Sequence, residues 1–128
     1  MFQIDLKSHK AIYEQIVDNF KLMIARGVLR EDERIPSVRD LAKELTVNPN
    51  TIQKAYRELE RQGYFYTVLG QGNFVAKRPN TADRQKVAGI YERLRESVRD
   101  LLFYGESEEG IIGSVREEIL KGGQNDSD

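Results

Sequence analysis

Apolar residues recur at helical spacing at Ile12, Ile16, Phe20, Met23 and Ile24, predicting a first helix from about Lys10 to Arg26. Ser8 is its expected cap and Gly27 its close. Ahead of it, Phe2, Ile4 and Leu6 alternate with polar residues, the pattern of a short extended segment. The polar connection VLREDERI, residues 28–35, ends in a brief extended piece broken by Pro36. Ser37 then caps a short second helix, with Asp40 at its third position. Val38, Leu41, Ala42 and Leu45 are its buried stripe. Only Thr46 and Val47 separate it from Asn48, a strong N-cap followed by Pro49 at the first helical position. The helix so opened runs to Gly63 and buries Ile52, Ala55, Tyr56 and Leu59. Two helices joined by so short a turn describe a helix-turn-helix.

After Gly63 the period changes from the helical repeat to alternation. Tyr64, Tyr66 and Val68 interleave with Phe65, Thr67 and Leu69; Gly70, Gln71 and Gly72 supply a turn, and Asn73 to Ala76 return. Three helices followed by a β-hairpin is the order of a winged helix-turn-helix. Lys77 to Thr81 reads as a linker punctuated by Pro79. From about Ala82 to Tyr104 a long helix carries a heptad seam of Val87, Tyr91, Leu94, Val98 and Leu101, widened by Ile90 and Leu102 and ended by Gly105. Ser107 opens a weaker helix bearing Ile111, Ile112, Val115, Ile119 and Leu120. Gly110 and Gly113 weaken it, and Gly122 and Gly123 are expected to stop it. The expected fold is mainly α with a small β-hairpin. A winged helix-turn-helix domain occupies residues 1–79, a two-helix dimerisation tail 80–122, and a disordered end 123–128.

The exposed side of the 48–63 helix is where chemistry concentrates. Asn50, Gln53, Lys54, Arg57 and Arg61 project opposite its core stripe. Amides suit adenine edges, and cations suit guanine or phosphate, so the face fits the major groove of DNA. The competing reading is a solvated amphipathic helix. Charge favours the first. Residues 1–80 hold 13 Lys+Arg against 10 Asp+Glu, a balance of +3, whereas residues 81–128 hold 7 against 11, a balance of −4. The first part can approach a polyanion and the second is repelled by one. With a sequence pI of about 5.9, any DNA binding must come from a local patch.

Other chemistries find little support. There is no cysteine and a single histidine, His9, so no thiolate metal site or His/Cys ligand set is expected. No Gly-rich phosphate loop lies between a strand and a helix. The expectation is no catalytic residue, no metal and no cofactor. No apolar run approaches the roughly 20 residues of a membrane span, and the N-terminus lacks a secretory h-region, so a cytoplasmic protein with no membrane partner is expected.

The motifs Ile35-Pro36-Ser37-x-Arg39-x-Leu41-Ala42, Leu45-x-Val47-x-x-Asn50-Thr51-x-x-x-Ala55, Leu59-x-x-x-Gly63 and Gly70-x-Gly72-x-Phe74-Val75 resemble the GntR-type bacterial transcription regulators. Ile12 to Ile16 (IYEQI) is similar too, and the short tail resembles the YtrA-like subfamily, which lacks a large effector domain. The resemblance implies roles. Ser37 and Arg39 would open the second helix, with Arg39 on a phosphate or a guanine. Asn48, Asn50, Thr51 and Gln53 would meet base edges and phosphates. Gly70, Gln71 and Gly72 would form a wing tip near the minor groove. Val68 and Leu69 stand where the family often carries basic or polar residues, and Lys77 and Arg78 are the cations that could compensate.

The leading expectation is a sequence-specific DNA-binding regulator, a repressor, bound as a homodimer to a palindromic operator in double-stranded DNA. Val87, Ile90, Tyr91, Leu94, Val98, Leu101 and Leu102 would join the two copies. The alternative is a winged-helix module for protein–protein interaction that does not touch DNA. Two tail helices wall too little space for an effector pocket inside one subunit, so a small-molecule effector, unidentified by the sequence, is expected only between subunits.

Overall fold

The computed structural model describes residues 2–77 and 84–123. Arg78 and the rest of the expected linker, the helix start at Ala82 and the QNDSD end lie outside the described residues. The elements are α1 (Ile12–Ala25), α2 (Val38–Leu45), α3 (Pro49–Arg61), β1 (Phe65–Val68), β2 (Gly72–Val75), α4 (Arg84–Phe103) and α5 (Glu108–Gly123). They fall into two compact units, one holding α1 to β2 and the other α4 and α5.

In the first unit α1, α2 and β1 all pack on α3. The reason is the stripe Ile52, Ala55, Tyr56 and Leu59, every member of which is buried. Phe20 of α1, Tyr56 of α3 and Phe65 of β1 meet edge-to-face in a triangle, with ring centroids 5.6, 5.1 and 5.4 Å apart. Such pairs add about 0.5–1.5 kcal/mol each beyond area burial. The Tyr56 hydroxyl donates to the Pro36 carbonyl at 2.7 Å, which ties α3 to the entry of α2. Burial, reinforced by the nearby carboxylates of Glu44 and Asp40, pushes this phenol well above its ordinary pKa.

Local caps follow the sequence in α2 and α3. The Ser37 hydroxyl accepts from the Asp40 N–H at 3.0 Å, and the Asn48 side chain accepts from the Asn50 N–H at 2.8 Å. Thr46 takes the left-handed conformation at φ 55° to make the turn between them. In α1 the expected cap is corrected. Ser8 accepts from Lys10 N–H within a preceding turn, and the helix opens at Ala11, whose N–H donates to Glu14.

The N-terminal segment, expected to be extended, makes no strand and passes into a turn at Leu6 and Lys7. Side chains strap it along α1 instead. The buried Gln15 accepts from Asp5 N–H at 2.7 Å and donates to the carbonyls of Asp5 and Lys10, both at 2.9 Å. Phe2 rests on Phe20, while Leu6 turns away and is exposed.

The hairpin pairs Phe65 with Val75, Tyr66 with Phe74, Thr67 with Asn73 and Val68 with Gly72. Gly72 therefore lies in the ladder, not in the turn, which is carried by Leu69, Gly70 and Gln71. The end of the 28–35 connection adds itself to the far edge of β2. Asp32 N–H donates to Val75 C=O, Val75 N–H to Glu33 C=O, and Ile35 N–H to Asn73 C=O, at 2.8–3.0 Å. Arg34 bridges Phe74.

The second unit is different in kind. No residue of α4 is buried, and none of the described side chains of α5 is either. Gly105, at φ 87°, ends α4, and the Ser107 hydroxyl caps α5 by accepting from Gly110 N–H at 3.0 Å. The helix ends at Gly123, the second residue of the glycine pair expected to stop it. It spans Gly110 and Gly113, since a glycine costs a helix only about 1 kcal/mol. Acidic Glu108 and Glu109 in the first turn and Lys121 in the last suit the helix dipole.

Candidate nucleic-acid interface

α3 is held along its buried stripe, and its other side is open. Asn50, Lys54, Arg57 and Arg61 are exposed, and Gln53 and Thr51 are half-buried. These side chains are not equally free. The Lys54 ammonium lies over the Tyr13 ring, 4.0 Å from its centroid. Arg61 donates to Glu58 through both Nε and Nη2, and Gln62 donates to the same carboxylate. These hydrogen bonds, Arg61's first and then Gln62's, hold the Glu58 carboxyl down to about 2. One carboxylate, Glu58, thus reaches the C-terminal end of this face. Among the described residues, the side chains of Asn50, Gln53 and Arg57 have no hydrogen-bond or ion-pair partner, so their polar groups are available to a ligand.

Arg39 is exposed on the first turn of α2 and makes no ion pair with Asp40 or Glu44. The Ser37 oxygen is committed as a cap, which leaves its hydroxyl proton free to donate. Asn48 is likewise committed through its carbonyl oxygen. An open recess of about 420 Å³ runs between the starts of α1 and α3 and is lined by Ala11, Ile12, Tyr13, Asn50, Thr51 and Lys54. Tyr13 therefore joins the α3 residues in space, through a cation–π contact that periodicity could not reveal.

At the hairpin tip, Gly70 has φ 79° and Gly72 φ 115°, conformations that side chains rarely adopt. Gln71 is exposed, and Leu69 is 96% exposed. Thr67 links the hairpin to α3, with its hydroxyl 2.8 Å from the Glu60 carboxylate and 2.7 Å from the Asn73 side chain. One hydroxyl proton cannot serve both, so Asn73 offers its amide while Thr67 donates to Glu60. Arg34, which lies in the polar connection and carried no signal in the sequence, packs against Gly72. A Cβ at Gly72 would sit 3.4 Å from its Nε.

On α4, Leu94 and Leu101 are 43% and 40% exposed, Val87, Ile90, Tyr91 and Leu102 are exposed more, and Val98 is half-buried. Glu92, Arg95 and Arg99 pair with one another about 100–160° around the helix from Leu94, so the charges leave the apolar face uninterrupted. α5 exposes Ile112, Val115, Ile119 and Leu120.

Comparison with known proteins agrees with this geometry. The family described as bacterial regulatory proteins, gntR family, matches residues 12–75. The HTH-type transcriptional repressor YtrA of Bacillus subtilis (strain 168) is 35% identical over 130 aligned residues, covering 98% of this chain and all of that protein. A crystal structure described as a transcriptional antiterminator from Listeria monocytogenes EGD-e superposes with a TM-score of 0.77 at 42% identity, covering 93% of this chain and 89% of that one. The DNA-binding domain of AraR, in complex with operator ORX1, superposes with a TM-score of 0.51 at 29% identity, over 59% of this chain and 96% of that one.

Proposed function

Because the chain belongs to the GntR family of bacterial regulatory proteins, we propose that it is a DNA-binding transcriptional repressor that holds a palindromic operator as a homodimer. The observation that carries the reading is the row Asn50, Gln53 and Arg57: unpartnered donors on the open side of a helix whose other side is locked into the core. An α-helix fits the major groove, where amides pair with adenine and guanidinium with guanine. Asn48, Ser37, Arg39 and Thr51 take the flanking phosphates, and Gly70, Gln71 and Gly72 bring the hairpin tip close to the DNA backbone. Lys54 and Arg61 serve phosphate after leaving Tyr13 and Glu58.

The homodimer rests on α4. Its seam of Val87, Ile90, Tyr91, Leu94, Val98, Leu101 and Leu102 is exposed at every position but the half-buried Val98, and isolated helices of such length are marginal in water. A second copy supplies the missing surface. It also doubles the few base pairs that one subunit reads, with half-sites about 34–36 Å apart or a multiple of that. Such a protein is not an enzyme and works in the cytoplasm. No helix among the described residues is long and apolar enough to cross a membrane.

Selection of bound sequences from random DNA tests the reading. The expected product is an inverted repeat, whereas recovery of unrelated sequences would favour the protein–protein module. Phosphate contact has its own test. Arg39→Ala is expected to weaken binding to operator and random DNA alike and to flatten the dependence of log K on log salt by about one unit per subunit. A slope equal to wild type would remove Arg39 from the backbone.

A further inference from the structure

We propose, resting on the DNA-binding reading above, that Arg34 is the cation of the wing and contacts a DNA phosphate outside the base pairs read by α3. The hairpin needs one from elsewhere: residues 65–76, FYTVLGQGNFVA, contain no lysine or arginine. Lys77 follows the strand at the wrong end. The register puts Phe65 and Val75 at the base of the hairpin and Val68 and Gly72 at its tip. At about 3.3 Å per residue, Lys77 is on the order of 16 Å of strand away from Gly72.

Arg34 reaches the tip from another part of the chain. Its backbone is annexed to β2 opposite Phe74. From there its side chain runs one two-residue step toward the tip, where the guanidinium lies on Gly72 at 3.4–4.0 Å from the position a Cβ would take. A Cβ at residue 72 would be in ordinary van der Waals contact with Nε, Nη2 and Cζ, so the guanidinium lies directly over the glycine, which the backbone itself requires at φ 115°.

The neighbouring acids do not claim this cation. The Asp32 carboxylate accepts from the Tyr66 hydroxyl at 2.8 Å. Glu33 accepts from the Arg30 backbone N–H at 3.0 Å. Arg34 itself is exposed and has no hydrogen bond or ion pair among the described residues. Tyr66 stacks on Phe74 across the strands and stiffens the surface on which it lies. The arrangement offers an exposed guanidinium beside the wing tip with no hydrogen-bond or ion-pair partner among the described residues, which suits a phosphate oxygen.

The test uses the full chain on the operator recovered by selection, comparing wild type with Arg34→Gln and Arg34→Lys. Arg34→Gln is expected to flatten the salt slope by about 0.9 per subunit, about 1.8 for the dimer on its operator, so that a fourfold rise in salt weakens it about 12-fold less than wild type. Arg34→Lys is expected to keep the wild-type slope. Phosphate-ethylation interference on wild type should mark a phosphate beyond the base pairs read by α3, and Arg34→Gln should lose that mark. A glutamine variant with the wild-type slope and mark overturns the proposal and leaves DNA binding standing. So does a wild-type protein with no such outer phosphate, a result that does not depend on whether any variant folds. Failure of wild type to bind any selected DNA overturns the functional reading itself, and Arg34's role with it.

Discussion

A chain carrying Leu94→Asp and Leu101→Asp together is expected to sediment as a monomer while its winged unit stays folded. Taking a large apolar side chain out of water gives about 1.5–3 kcal/mol, and the seam of α4 is made almost entirely of such residues. Burying an unpaired carboxylate reverses this by several kcal/mol, and a two-fold interface would bury the substitutions twice. The core of the first unit, built on Phe20, Tyr56, Leu59 and Phe65, includes none of these positions, so its melting should not change. Tethered half-sites gain on the order of 10²–10⁴ from effective concentration. Affinity for the palindrome should fall by that order, and affinity for a single half-site should hardly change. Persistence of the dimer, or a monomer that binds the palindrome as well as wild type, would remove α4 from the interface.

Loss of base reading is the second large effect. Gln53 and Arg57 stand one turn apart on α3, so their Cβ atoms lie about 5–6 Å from one another. That spacing suits neighbouring base pairs. Neither side chain has a partner to give up among the described residues, so little of the binding energy is spent on breaking existing contacts. Replacing either by Ala is expected to cost about 1–3 kcal/mol on the selected operator and to relax preference at one base position. Binding to the operator and to each of its single-base variants reads both quantities. If both alanine variants keep wild-type affinity and preference, α3 does not lie in the major groove as argued. Lys54→Ala and Arg61→Ala should have smaller effects, because Tyr13 and Glu58 compete for those cations.

The elements of this protein were legible because their signals are local. Periodicity needs only neighbours in the chain; it placed the α3 stripe, which the core buries whole, and the α1 and α2 stripes, of which Ile12, Val38 and Leu45 stay half-buried against the core. Capping depends on residues two or three apart, and Ser37 and Asn48 behave as their positions predict. Ser8 failed as a cap because the segment before α1 is held by Gln15, a contact ten residues away from Asp5. α5 spans Gly110 and Gly113, which weaken a helix without ending it, and ends at Gly123.

What only tertiary structure decided concerns side-chain freedom and long-range pairing. The helical wheel ranks Lys54, Arg57 and Arg61 as equals. Packing sets Lys54 apart, because Tyr13 on α1 comes within reach of it; Arg61 is engaged locally, by Glu58 three residues before it, and Arg57 keeps its donors open. Arg34 shows the same limit more sharply. It lies in a charged connection without periodicity, 38 residues before Gly72. Nothing in the local sequence sets it beside the wing. That placement comes from backbone hydrogen bonds to β2, which form only once the hairpin register has aligned Phe74 with the returning chain.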